Sequence, residues 1–350
     1  MVSTVASFVL TKVLGDYVEG ISEKISVSLG SGDLTLQNLT IKKTAIDQLK
    51  LPAQMVSGKI GKLSLKLPWA NLSTEPAIIK IEDLFVLLHP RTMDKVDRAG
   101  DYNLKMKRLQ LDELMGTDKP EVETKEEDKG YFDSLAIKVT ENLQIYVDNI
   151  HIRYEDSLAN PAKPFSLGVT LSQLHIQTCD KNWKPAFLDI TEPTIYKLLS
   201  LNSFSVYMDT KSNFLKFRDD AEFVNLMQQL IPSKNRALNL QYVVEPIYMQ
   251  IMASLDKTKK NMTRPYIILD TVIDQVNLCL ASCQVKRLLD AQRWYISYWR
   301  KLTYQRYEPP SVSLTKDPIQ WWAFAIRSIS NEIEEKNRKW RWGFILKRRE

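Results

Sequence analysis

Val147-Asp148-Asn149-Ile150-His151-Ile152 runs apolar, polar, polar, apolar, any residue, apolar. The same order recurs in Leu36-Gln37-Asn38-Leu39-Thr40-Ile41, Ile60-Gly61-Lys62-Leu63-Ser64-Leu65 and Ile81-Glu82-Asp83-Leu84-Phe85-Val86. It returns in Leu171-Ser172-Gln173-Leu174-His175-Ile176, Leu201-Asn202-Ser203-Phe204-Ser205-Val206 and Ile273-Asp274-Gln275-Val276-Asn277-Leu278. Chance alone gives roughly two or three such matches in a chain of this composition when Leu, Ile, Val and Phe count as apolar. Side chains alternate faces along a strand, so the last two apolar residues of each segment share a face. The first lies on the opposite face unless a bulge or bend resets the phase. The repeat is a one-sided strand, and an apolar face needs a cover.

Val2 to Val18 reads as an N-terminal helix with Val2, Val5, Ala6, Val9, Val13 and Tyr17 on one side. Strands are expected over Ile25–Leu29, Leu34–Ile41, Lys59–Leu67 and Ile78–Leu88, with a helical turn at Thr44–Leu49. Leu104–Met115 has helical spacing. Thr117–Gly130 is a run of Asp, Glu and Lys with almost no apolar residue, a linker composition. Tyr131, Leu135, Val139 and Leu143 then share a helical face. Further strands are expected over about Leu143–Tyr154, Phe165–Thr178, Leu201–Thr210, Leu238–Leu255 and Tyr266–Leu280, and helices over Asp219–Ile231, Val285–Leu302 and Ile319–Ile333. The division that follows is 1–115, a charged linker 116–130, a continuing sheet 131–282 and a helical segment 283–350.

The 350 residues are 44% hydrophobic and 26% charged, the composition of a folded chain. The net charge of +6 favours anionic surfaces without singling out nucleic acid. Cys179, Cys279 and Cys283 make no disulfide framework, which points to a reducing, cytosolic setting. No run reaches the length of a membrane span. The sequence holds no Gly-rich phosphate loop, zinc-protease helix or nucleophile elbow, so no enzyme, cofactor or metal is expected. Cys279 and Cys283 read as buried inert thiols. His151 and His175 occupy the same slot of the repeat on strands that could be neighbours and read as solvent-facing. Glu155 and Asp156, after Arg153, could be paired carboxylates for acid–base work but read as a strand end with local salt bridges. The tail from Lys336 to Glu350 mixes basic and aromatic residues, a mixture that suits a membrane interface or single-stranded nucleic acid, though packing against the remainder of a longer protein is the favoured reading.

Helices could cover the apolar face and make an ordinary α+β domain, or the sheet could curl into an open trough. Periodicity is the same in both. The block Gly15-Asp16-Tyr17-Val18, with Gly58-Lys59-Ile60-Gly61-Lys62-Leu63 through Pro68-Trp69-Ala70-Asn71-Leu72, resembles the N-terminal chorein domain. So does Asn142-Leu143-Gln144-Ile145 running into His151-Ile152-Arg153-Tyr154-Glu155-Asp156, with Asn160-Pro161, Pro164-Phe165 and the Trp321-Trp322 segment. The family is the vacuolar protein sorting-associated protein 13 group of bridge-like lipid transfer proteins.

The resemblance implies an α+β fold, mostly antiparallel β, whose curled one-sided sheet forms a hydrophobic groove capped by the N-terminal helix, with helices between strand groups. It implies glycerophospholipid as cargo, not cofactor, moved between organelles at contact sites by a cytoplasmic, peripheral protein. The N-terminal end would face a donor membrane, usually the endoplasmic reticulum, where a scramblase or receptor would meet it; nucleic acid is not an expected partner. The residues expected to line the groove are the paired apolar positions. These are Leu39 and Ile41; Leu63, Leu65 and Leu67; Leu84, Val86 and Leu88; Ile150 and Ile152; Leu174 and Ile176; Phe204 and Val206; Met249 and Ile251; Val276 and Leu278. Lys62, Lys66, Lys80 and Glu82 should face water, and Ile79, Ile81, Phe85 and Leu87 form a rival apolar stripe to that of Leu84.

Overall fold

The computed structural model describes residues 17–19, 33–46, 51–66, 68, 74–91, 141–188, 192–211, 214–231, 240–257, 265–305, 307 and 311–339. The expected helix before Tyr17, strand 25–29, helix 104–115, linker 116–130, helical face 131–139 and the tail after 339 lie outside the described residues, as does Leu67. Two units divide the chain, residues 1–91 with 111–289, and residues 92–110 with 290–350.

The first unit is an eight-stranded sheet in which spatial order follows chain order. The strands are β1 (Asp33–Thr40), β2 (Ala53–Lys66), β3 (Ile78–Pro90), β4 (Gln144–Asp156), β5 (Phe165–Cys179), β6 (Thr194–Asp209), β7 (Tyr242–Asp256) and β8 (Ile267–Ile273). All neighbours are antiparallel except β3 and β4, which run parallel. Parallel neighbours need a long return connection, and residues 91–143 supply it. Two strands start well before their expected positions, β2 at Ala53 and β6 at Thr194. The expected strand Tyr266–Leu280 is shorter in the structure. β8 ends at Ile273, after which Asn277 O accepts from Glu245 N at 3.2 Å and Cys279 N donates to Val243 O at 3.0 Å without regular ladder pairing.

Why the repeat recurs is visible in the backbone. Asn38, Asp83, Asn149 and Ser203 hold the third slot of four repeats, and all are left-handed, with φ of 52°, 61°, 59° and 56°. Asn and Asp enter that region at lower cost than other side chains, Ser less readily. Regular pairing skips the same line on every strand from β1 to β7: Asn38, Gly61, Asp83, Asn149, Ser172, Ser203 and Tyr248. The sheet is creased along that line. A crease resets the alternation, so the first and fourth residues of each repeat, three apart, meet on one face. Gly61 is required there, because a Cβ would sit 2.9 Å from Asp83 Cβ.

Helix α1 (Asp220–Gln229) packs on the other face of the sheet. Asp219 caps it by accepting from Glu222 N at 2.8 Å, while Glu222 Oε2 accepts from Arg218 N at 2.8 Å. Its buried Phe223 and Met227 meet Phe85 and Leu87 of β3. Helix α2 (Ser282–Gln305) starts in the first unit, where Gln284 Nε2 donates to Met208 O at 2.9 Å, and passes into the second. The second unit adds helix α3 (Pro318–Lys339), and Tyr304 OH donates to Glu332 at 3.3 Å between α2 and α3.

Candidate apolar trough

Residues directly opposite in register share a face. One unbroken apolar row therefore crosses all eight strands: Leu36, Leu63, Ile81, Val147, Leu174, Leu201, Met249 and Ile273. Across the crease a second row holds Leu39, Ile60, Leu84, Ile150 and Leu171, with Phe204 paired to Ile247 on the later strands. Val86, Ile152, Val169, Val206 and Val244 form a third. Leu65, Ile79, Ile145, Ile176, Leu199 and Ile251 form a fourth. All the described groove positions from the sequence lie on this face or, for Val276 and Leu278, in the segment that follows β8. The reading missed the first slot of each repeat, which the crease turns inward. The rival stripe is split: Ile79 and Ile81 join Leu84, while Phe85 and Leu87 lie on the opposite face beneath α1.

Burial changes along the rows. On β1 to β3 the face is largely sealed: Leu39 and Leu63 are 0% and 1% exposed, Ile41, Leu65, Val86 and Leu88 are buried in the same cluster, and Ile81 and Leu84 are half-buried against it. Val18, Ala45 and Ile46 pack against it. From β4 on the face opens in part, with Val147, Leu171 and Ile247 still buried. Ile150, Leu174, Ile176, Phe204, Val206, Met249 and Ile251 are half-buried. Ile152, Val276 and Leu278 are exposed, the last to 71%. The apolar run on β5 from Leu167 to Ile176 has a contour of about 30 Å, comparable to the hydrocarbon core of a bilayer.

Polar side chains end the open run. Lys197, next to Leu199 on this face, donates from Nζ to Glu141 O at 2.6 Å and Thr178 Oγ1 at 2.7 Å. Burial pushes its pKa down to about 8. At the far end Tyr154 OH donates to Asp156 Oδ2 at 2.8 Å, and Asp156 Oδ1 accepts from Leu158 N and Ala159 N, closing the strand as expected.

The opposite face is polar before the crease, where Lys62 Nζ lies 3.2 Å from Glu82 Oε1. Beyond the crease it carries a buried network. His151 is not solvent-facing but fully buried, because α1 arrives from later in the chain and covers it. Its Nδ1 donates to Met227 O at 2.9 Å and its Nε2 accepts from Tyr207 OH at 2.8 Å. Arg153 Nη1 donates to Tyr207 OH at 2.9 Å and Nε to Glu155 Oε1 at 2.8 Å, and Glu155 also accepts from Leu215 N at 3.0 Å. Gly168 pairs with Tyr207, and a Cβ there would overlap the ring. Burial, aided by the Arg153 charge, pushes His151 down to about 4 against the Met227 hydrogen bond. This is a neutral clamp fastening α1 over the β3–β4 seam. His175 is half-buried, its ring edge-on to Tyr146 at 5.0 Å. Cys279 and Cys283 are exposed, not buried, because they follow the open edge strand. Among the described residues no group of three His, Cys, Asp or Glu is placed to hold a metal, and no helix is long and apolar enough to cross a membrane.

The fold and face together define a creased, one-sided β-sheet protein with an apolar trough sealed at one end and accessible at the other. Comparison with known proteins gives the family. The VPS13-like family N-terminal region matches residues 1–350, and the chain belongs to that family. It is 30% identical over its whole length to "Intermembrane lipid transfer protein VPS13" of Chaetomium thermophilum, covering 11% of that protein. It is 30% identical over 98% of its length to "Intermembrane lipid transfer protein vps13A" of Dictyostelium discoideum, again covering 11%. The human "Intermembrane lipid transfer protein VPS13C" is 26% identical over the whole chain. The chain spans about a tenth of the length of these curated relatives.

Proposed function

We propose that the open part of the trough takes up the acyl tails of glycerophospholipids, and that the chain is the N-terminal part of a longer bridge moving them between membranes. The observation that carries this reading is the unbroken apolar row, buried at Leu36, Leu63 and Val147 yet open to solvent from Leu174 on β5 to Ile273 on β8. An exposed apolar face of this extent is an association hazard in water. Each tail methylene buried on it contributes about 0.8 kcal/mol. The relatives' names add intermembrane transfer. No chemistry is required of the protein, which acts as a carrier and not an enzyme. Phospholipid is cargo, not cofactor. The protein works as a cytoplasmic, peripheral component of organelle contact sites, with the endoplasmic reticulum and a scramblase or receptor at its N-terminal end, by resemblance to the family. Mass spectrometry of lipids extracted from the purified chain tests the reading. Phospholipid in stoichiometric amounts is the expected result, and its absence would mark a scaffold with no ligand.

A further inference from the structure

Residues 290–350 hold six of the eight tryptophans of the chain. They carry 13 Lys and Arg against 7 Asp and Glu, the whole net charge of +6, while residues 1–289 balance 35 against 35. In that segment α3 divides lengthwise. Its inner side holds Trp321, Phe324 and the buried Ser328, and Trp321 Nε1 donates to Val312 O at 2.8 Å. Its outer side is a single stripe in which Ile319, Trp322, Ile326, Ile329 and Ile333 are 78%, 70%, 61%, 55% and 53% exposed. Small or uncharged residues, Ala323, Ser330 and Asn337, border it on one side.

We propose that this stripe is a docking surface for an anionic lipid bilayer, whose binding does not depend on what the trough holds. Tryptophan concentrates at the headgroup level of membranes, where the ring is buried and the N–H stays wet. A cationic segment is drawn to anionic headgroups, and apolar side chains on one helical stripe then enter the acyl boundary. A partner helix would need the stripe alone. The stripe, six of the eight tryptophans and the excess positive charge fall within one stretch of the sequence, and that combination favours the bilayer over a partner helix.

The test is flotation of the 350-residue chain with vesicles of phosphatidylcholine, with and without phosphatidylserine. Binding is expected to phosphatidylserine vesicles, to weaken as salt is raised, and to fall at least about tenfold in Trp322→Glu and Ile326→Glu. Both side chains point outward, so these variants should melt like the parent. Phospholipid co-purifying with each variant should be unchanged, which separates this surface from the trough. Equal flotation of parent and variants would overturn the proposal. So would a parent that fails to float, or one that self-associates in solution while the variants stay monomeric, which would assign the stripe to a second copy.

Discussion

Asn149 Nδ2 donates to Asp83 Oδ1 at 2.8 Å, joining two left-handed residues across the parallel β3–β4 seam. The contact locks the crease where the two antiparallel portions of the sheet meet. Glycine reaches this backbone conformation freely, whereas a β-branched residue is strained there. Asn149→Gly should therefore cost at most about 1 kcal/mol, the lost hydrogen bond. Asn149→Val should cost about 2–3 kcal/mol and reduce bound phospholipid, because the strand must straighten or strain. Urea unfolding of the two variants measures the difference, and equal losses would deny the crease its backbone origin.

Gly61 and Asp83 make a second, reciprocal test. A methyl at Gly61 meets Asp83 Cβ at 2.9 Å, with Glu82 O also close at 3.3 Å. Gly61→Ala should destabilise by about 1–3 kcal/mol. Asp83→Gly removes the obstructing side chain, so the double variant should be less destabilised than the two single changes predict together. Chemical denaturation over the four-member cycle reads the coupling. Strict additivity would place the clash elsewhere.

The His151 clamp sets a pH dependence. Its folded pKa of about 4 lies below the ordinary 6.5, so the unfolded chain binds the proton more readily. Stability is then fully present above pH 6.5 and is lost as pH falls from there towards 4. The loss between pH 7.5 and 5 should be about 2 kcal/mol. In His151→Gln this contribution to the slope should vanish even though the variant is less stable at neutral pH. Urea midpoints across that range for both proteins decide it.

These contrasts mark what the sequence discloses. The repeat showed which strands are one-sided and which residues pair on a face, since alternation is a local property. The phase of the first slot was not read, yet Asn38, Asp83, Asn149 and Ser203 carried a signal in four repeats through residues such as Asn and Asp that suit left-handed backbone. Burial of His151 was hidden because Met227, its partner, is 76 residues away and arrives on a helix from another connection. The parallel seam was likewise invisible, because the repeat reads the same whichever way its neighbour runs.

The seal at one end of the trough gives the sharpest test of which residues meet a tail. Leu39 and Leu63 are packed on all sides by protein, so Leu63→Asp buries a charge with no partner and should unfold the chain. Ile150, Leu174 and Met249 share the same face but remain partly open to solvent. A carboxylate there can stay hydrated while destroying the apolar surface that a tail would cover. Ile150→Asp, Leu174→Asp and Met249→Asp combined should keep the β-sheet circular dichroism of the parent and lose its phospholipid. If this triple variant unfolds like Leu63→Asp, the rows from β4 to β8 are plain core and the trough does not extend along them.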